Sequence, residues 1–306
     1  MKRNVVHAAT LLPLAIGLAT TPVGDALRPT GRSSHHLASG VAEGAAFPLA
    51  CTLPFDSIKQ IHPIDDACGA AGSAQADTAP EQAAQNEAKN SFCQTGAPAG
   101  LGFDQFDSLQ AAAEAAHIPF GSSSHLPPDR SLLRSLISLP ANGVVGEGSI
   151  ARLTAYVIDA HYSNVSSGES VNCQTPGQEF NDIHIVLGQT PDEDPCNSVT
   201  AEMSPHFRPD MWTPDVLDKL SGRPLRFTGQ LFFDASHKPC SNGRRSSPPR
   251  RSLFEIHPVY AVDVCRAVAP SSDKAAWLKQ CESGSDDNWV NLQAWVGDES
   301  NTVREE

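Results

Sequence analysis

The chain has 306 residues, of which 40% are hydrophobic and 6% aromatic, so it is long enough for one or two folded domains. It carries 22 Lys and Arg against 35 Asp and Glu, a formal net charge of -13 at pH 7. This excess of acid argues against a protein that covers nucleic acid or an anionic membrane with its whole surface, because phosphate binding needs a basic footprint. The absence of a long apolar run after the first thirty residues argues against a polytopic membrane protein.

Residues 1–26 have the layout of a secretory signal peptide. The start is positive, residues 5–20 are mostly apolar, and small residues precede two candidate cleavage sites. We therefore expect a periplasmic or secreted protein with no stable membrane span after cleavage of the signal; an uncleaved N-terminal anchor is the alternative. Residues 27–46, rich in Ser, Gly, His and Ala, are expected to form a flexible spacer.

Eight cysteines follow this leader, and an even number in an exported chain indicates up to four disulfides. None of them has the Cys-x-x-Cys spacing of a zinc ribbon or a thioredoxin-like site, so thiolate metal binding is the weaker interpretation. Pairing of sequence neighbours predicts three bonds: Cys68 with Cys93, Cys173 with Cys196, and Cys265 with Cys281.

Residues 47–140 are predicted to form a helical, cysteine-containing N-terminal region. Residues 79–93 are helix formers, and residues 104–117 repeat small or apolar side chains at helical spacing. A third short helix is predicted over residues 129–138, with Leu132, Leu133 and Leu136 on one stripe.

The pattern changes to strands from residue 144. Segments rich in β-branched and aromatic residues predict five strands, at 150–162, 182–187, 198–203, 225–234 and 254–264. A helix is predicted between the third and fourth strands, with Thr213 as N-cap, Pro214 at its first position and Gly222 after its end.

The order β-β-β-α-β-β over residues 144–265 predicts an α+β fold built on a five-stranded, OB-like Greek-key barrel. Residues 266–306 are expected to add short C-terminal helices, at 272–281 and 286–296, and an acidic tail.

One candidate ligand site is an arginine-rich loop. OB-folds bind ligands across strands 2 and 3, between the loops that join strands 1 to 2 and strands 4 to 5. The second of these loops holds four arginines: Arg244, Arg245, Arg250 and Arg251. Guanidinium groups pair bidentately with phosphate and carboxylate, so the loop predicts an anionic ligand, an oligonucleotide or an acidic glycan. The alternative is a solvated, flexible, Pro-rich loop.

A second candidate site consists of carboxylates and imidazoles set two residues apart on predicted strands, where alternation places each pair on one face. These pairs are Asp159 with His161, Asp182 with His184, and Glu255 with His257. Such groups bind divalent metals, which activate water for hydrolysis. The alternative is that the carboxylates hydrogen-bond to the imidazoles and fix the strand register.

The metal interpretation predicts a metal-dependent hydrolase, with phosphodiesters as one substrate class. Its metal ligands are Asp182, His184 and His257, and its acid/base residue is His237 or Glu255. No His-Glu-x-x-His, Gly-x-Ser-x-Gly or phosphate-loop motif accompanies these residues.

Four segments carry a resemblance to known sequences: AHYSN at 160–164, NDIHI at 181–185, FDASH at 233–237 and EIHPVY at 255–260. They resemble a group of uncharacterised exported bacterial proteins, over about residues 54–265. The resemblance implies the extent of the domain and no activity. The predicted barrel is also similar to thermonuclease-type OB domains, but the sequence lacks their catalytic pattern, so a nuclease would be an analogy of fold only.

Three hypotheses of function follow. The first is an exported binding or scaffold protein that takes an anionic ligand through the arginine-rich loop. The second is the metal-dependent hydrolase, with a divalent metal as its cofactor. The third is a structural module without a small ligand.

Overall fold

The structure is a computed structural model that describes Phe55 and residues 68–92, 96–127, 129–206, 208–270 and 272–298. These residues belong to one unit, Val41–Glu306. The predicted signal peptide and spacer lie outside the described residues, as do Cys51, Cys93 and the last residues of the acidic tail.

Two helices precede the barrel, α1 at Pro80–Lys89 and α2 at Phe103–Ala115. Proline at the first position favours the start of α1, and Lys89 in its last turn complements the helix dipole. Helix α2 buries Phe106, Leu109 and Ala113 at helical spacing. Between the helices, the short strand β1, Ala99–Gly100, pairs in parallel with the first strand of the barrel.

The third predicted helix, over residues 129–138, is wrong. The chain there makes one turn of 3-10 helix, Arg130–Leu133, and then strand β2, Ile137–Leu139, which pairs with β3, Gly143–Val145. Leu133 is buried and Leu132 is exposed, so the leucines do not share one stripe. Pairing between β2 and β3 overrides the local helix propensity of this segment.

Five strands form the barrel: β4 Ile150–Tyr162, β5 Ile183–Gly188, β6 Val199–Met203, β7 Leu225–Phe233 and β8 Phe254–Cys265. Their order is β4-β5-β6-β8-β7, and pairing of β4 with β7 closes the barrel. Helix α3, Pro214–Lys219, lies between β6 and β7 in the sequence, and the Thr213 side chain accepts a hydrogen bond from the Val216 N–H as its cap. The predicted OB-like barrel with short helices, an α+β fold, is confirmed.

Strand alternation gives the barrel an apolar interior and a polar outer face on three strands. Core-facing residues there are Ile183, Ile185 and Leu187 on β5, Ala201 and Met203 on β6, and Ile256 on β8. The intervening residues His184, Glu202, Glu255 and His257 therefore face the other side. Helix α1 lies over this outer face. Its Lys89 Nζ atom donates a hydrogen bond to Glu202 of β6.

Beyond the barrel come α4 at Lys274–Ser283, β9 at Trp289–Asn291 and α5 at Leu292–Gly297. The second C-terminal helix is thus shorter than the predicted 286–296, because residues 289–291 pair with the end of β8. Leu292 and Trp295 pack into the barrel core. Among the described residues, no helix has the length and apolar character needed to cross a membrane.

Three disulfides join the described residues: Cys68–Cys173, Cys196–Cys240 and Cys265–Cys281. The predicted Cys265–Cys281 bond is confirmed. The other two predicted pairings, Cys68 with Cys93 and Cys173 with Cys196, are wrong. Cys68 bonds to the β4–β5 loop beside α1, and Cys196, between β5 and β6, bonds to Cys240, between β7 and β8. Three disulfides fit an oxidising, extracytoplasmic compartment.

Peptide mapping without reduction should recover Cys68 linked to Cys173. Replacing both residues with Ser should lower the free energy of unfolding by roughly 2–4 kcal/mol, because the unfolded chain loses a long cross-linked loop. Urea unfolding checks this, with Cys265→Ser/Cys281→Ser as the comparison. Recovery of Cys68 linked to Cys93 would contradict the pairing.

Candidate functional site

A cleft of about 480 Å³ opens on the outer face of the barrel. Its walls are α1, the β4–β5 loop at residues 163–182 and the β7–β8 loop at residues 234–253. These are the two loops between which OB-folds bind ligands. A wider cavity of about 850 Å³ lies along the other side of α1 and is lined by Arg130, whose guanidinium pairs with Glu147.

The ammonium group of Lys89 lies at the floor of the cleft. Its Nζ atom is 2.8 Å from Glu202 Oε2 and 4.0 Å from both Asp182 Oδ2 and Glu255 Oε1. Burial lowers the pKa of Lys89, but the surrounding carboxylates, led by Glu202, outweigh burial and raise that pKa well above its ordinary value. Lys89 is therefore charged at neutral pH.

His184 forms a second ion pair with the same glutamate. Its Nε2 atom is 2.8 Å from Glu202 Oε1 and 3.5 Å from Glu169 Oε1. Burial lowers the pKa of His184, but these two carboxylates raise it to about 10. Burial raises the pKa of Glu169, and His184 and Lys89 overcome this effect and lower the pKa to about 2. His184 is therefore an imidazolium held between two carboxylates.

Asp182, Glu202 and His257 offer ligand atoms that all lie within 4.8 Å of one another, and the three residues are buried. His257 Nε2 is 3.1 Å from Asp182 Oδ2 and 3.3 Å from Glu202 Oε2. Burial and the charge of Glu169 raise the pKa of Asp182. These three residues can hold a divalent metal, since carboxylate and imidazole are ligands for such ions.

Arg250 joins the two predicted acid/base residues to the cluster. Its Nη1 atom is 3.0 Å from Asp234 Oδ2 and 3.1 Å from Glu255 Oε2, and the side chain is fully buried. Burial and the charge of Glu202 raise the pKa of Glu255 well above its ordinary value. The pKa of Asp234 is lowered, because contacts with His237 and Arg250 outweigh burial. His237 lines the cleft and contacts Asp234 through Nδ1.

The four arginines of the β7–β8 loop do not form one patch. Arg250 is enclosed, and Arg251 pairs with Asp107 of α2 at 2.6 Å. Arg245 faces Asp194 at 3.4 Å on the surface, and Arg244 is exposed. Arg250 therefore presents no open surface to a ligand, and ligand contact by the other three arginines stays a prediction.

The predicted metal ligands are divided between two groups. Asp182 and His257 come together, while His184 Nε2 faces Glu202 and Glu169 instead. Asp159 and His161 pair with each other at the surface. This agrees with the alternative in which the carboxylates hydrogen-bond to the imidazoles. Asp182, which directly precedes β5, pairs with His257 of β8 rather than with His184, and β6 lies between these two strands in the sheet.

Sequence reasoning missed Lys89, Glu169 and Glu202. A signal existed for Glu202, since it is an acid between core-facing Ala201 and Met203 and lies opposite His184 in the β5–β6 register. Nothing in the sequence marked Glu169, which lies in a polar loop. Lys89 resembles any basic residue in the last turn of a helix.

The raised pKa of His184 predicts a loss of stability in alkaline solution. A group whose folded pKa exceeds its unfolded value stabilises the fold fully below the unfolded value, 6.5 here. That contribution is lost as the pH rises from 6.5 through about 10. Urea unfolding over this pH range should show a smaller decline for His184→Gln than for the wild type. His161→Gln, at an exposed imidazole, should keep the wild-type decline, and an unchanged decline in His184→Gln would contradict the ion pairs.

Arg250→Met should lower the free energy of unfolding by roughly 3–5 kcal/mol, because it leaves Asp234 and Glu255 buried without their cation. Arg244→Met, on the exposed part of the same loop, should change it by less than about 0.5 kcal/mol. Urea unfolding of both variants measures the difference. Equal stability of the two would mean that Arg250 is not buried against these acids.

Comparison with known proteins supplies no relative from which to carry over a function. No protein-family model matches the chain, and neither a curated protein nor a solved structure matches it. The resemblance to exported bacterial proteins therefore stays a prediction, and the function has to be argued from the residues of this chain.

Proposed function

We propose that the chain is an exported binding protein, periplasmic or secreted, that holds an acidic saccharide in the cleft between the β4–β5 and β7–β8 loops. The observation that carries the proposal is that the basic side chains at the cleft are more exposed than the carboxylates with which they pair. The side chains of Lys89 and His184 are 13% and 18% exposed, against 2% for their partner Glu202. His237 is 37% exposed, against 7% for Asp234. The basic side chains are therefore more accessible from the cleft than the carboxylates with which they pair.

The charged groups of Lys89 and His184 suit an anionic ligand. The ammonium of Lys89 and the imidazolium of His184 offer only hydrogen-bond donors. Donors that carry charge make short, strong hydrogen bonds to carboxylate, sulfate or phosphate oxygens. The carboxylates beneath them orient the donors, so the ligand meets groups that are already positioned.

The rest of the lining favours a saccharide over a single-stranded nucleic acid. Binding of single strands uses aromatic side chains on which bases stack. Among the described residues that line the cleft, Tyr162 is the only Phe, Tyr or Trp, and the guanidinium of Arg208 covers its ring at 5.4 Å. Amide and hydroxyl groups that suit sugar hydroxyls line the cleft at Gln82, Asn164 and Ser247.

The metal-dependent hydrolase has weaker support. A catalytic metal needs an open coordination position that the substrate can reach. Of the three residues that can hold a metal, Glu202 lines the cleft, and Asp182 and His257 lie buried beside it. The hydrolase stays a prediction.

Calorimetric titration of the mature protein with oligogalacturonate should show binding that weakens with salt, and neutral maltohexaose should not bind. His237→Ala should weaken binding about tenfold, because a hydrogen bond to a charged group contributes about 1.5–3 kcal/mol. His125→Ala, at an exposed imidazole of the loop after α2, is the matched control and should bind like the wild type.

Two outcomes would overturn the proposal. The first is the absence of oligogalacturonate binding at low salt. The second is tighter binding of a single-stranded oligonucleotide than of oligogalacturonate, which would assign the cleft to nucleic acid.

A further inference from the structure

We propose that Asp182, Glu202 and His257, with Glu255 beside them, form a divalent-cation site for which the metal and the ammonium of Lys89 compete. The inference goes beyond the proposed function, because it concerns the layer beneath the cleft and does not depend on a saccharide ligand.

The spacing of the ligand atoms fits an ion. Metal bonds of about 2.1 Å in tetrahedral or octahedral geometry place neighbouring ligand atoms about 3.0–3.4 Å apart. His257 Nε2 lies 3.1 Å from Asp182 Oδ2 and 3.3 Å from Glu202 Oε2. The β5–β6–β8 part of the barrel carries these three residues, so the atoms are held close together without a large rearrangement.

An unsatisfied oxygen points to the same space. Within the described part of the chain, Glu255 Oε1 is buried and accepts no hydrogen bond. It lies 4.0 Å from Lys89 Nζ, the atom that also contacts Glu202 and Asp182. Buried polar atoms in folded proteins nearly always have a partner. Glu255 Oε1 therefore borders the space that Lys89 Nζ occupies, beside the three candidate ligands.

Lys89 helps to explain how the cluster persists without an ion. Its ammonium brings one positive charge to Asp182, Glu202 and Glu255, in addition to His184 on Glu202 and Arg250 on Glu255. A divalent ion brings two charges and binds the oxygens directly. Lys89 is the last residue of α1 and lines the open cleft, so its flexible side chain can move outward when an ion binds.

The test compares the chelator-treated, untagged wild type with Lys89→Met by calorimetry and thermal unfolding, with Mn²⁺ and Zn²⁺ as probes. Lys89→Met removes the competitor, so we expect about one ion per chain, at least tenfold tighter binding than in the wild type, and a larger metal-dependent rise in Tm. The double variant Lys89→Met/His257→Ala should lose this response. The control His161→Ala should bind metal like the wild type.

A folded Lys89→Met variant without metal-dependent stabilisation would overturn the proposal and leave Lys89 as a structural ion-pair partner. If Lys89→Met is unfolded in chelator, its refolding on addition of Mn²⁺ or Zn²⁺ is expected, and failure of both ions to refold it would also overturn the proposal. These readouts use metal alone, so failure of saccharide binding does not affect them.

Discussion

The ion pair between Lys89 and Glu202 is the interaction on which the arrangement of the cleft depends. It joins the last turn of α1 to the outer face of β6 at 2.8 Å. Removal of charges from water costs several kcal/mol per ion, and good geometry with further partners is needed to offset that cost. Here Glu202 also pairs with His184, so one carboxylate holds two cations in place. Without Lys89, α1 would lose the ion pair that joins it to β6, while Glu202 would still face His184.

Further polar contacts fix the position of α1. Asn86 donates hydrogen bonds to Ala71 O and Ser170 Oγ, and Gln85 accepts one from the Ala235 N–H. The Cys68–Cys173 disulfide joins the segment before α1 to the β4–β5 loop. Polar contacts of this kind set orientation more strictly than apolar packing does, because an unpaired buried group is costly. They give the cleft a defined wall.

The strands of the barrel were predictable because each carries its own pattern. The predicted bounds of β4 agree with the structure. For each of the other four strands, the predicted bounds differ from the observed ones by at most one residue at either end. Thr213 and Pro214 marked the start of α3 correctly. The patterns failed at residues 129–138 and 286–296, where three-residue strands form, one in a local hairpin with β3 and one against the end of β8. A segment of three residues has too few positions to show a period.

Local side-chain chemistry therefore determined which segments become strands and helices, the order of these elements along the chain, and the candidate status of Asp182 and His257. Only the tertiary structure decided that Glu202 and Lys89 meet them, that Arg250 is enclosed, and that Cys68 pairs with Cys173. Each of these depends on the strand order around the closed barrel and on the docking of α1. Contacts between residues far apart in the sequence leave no periodic signal, and a shift of one residue in register would turn the same side chains to the opposite face.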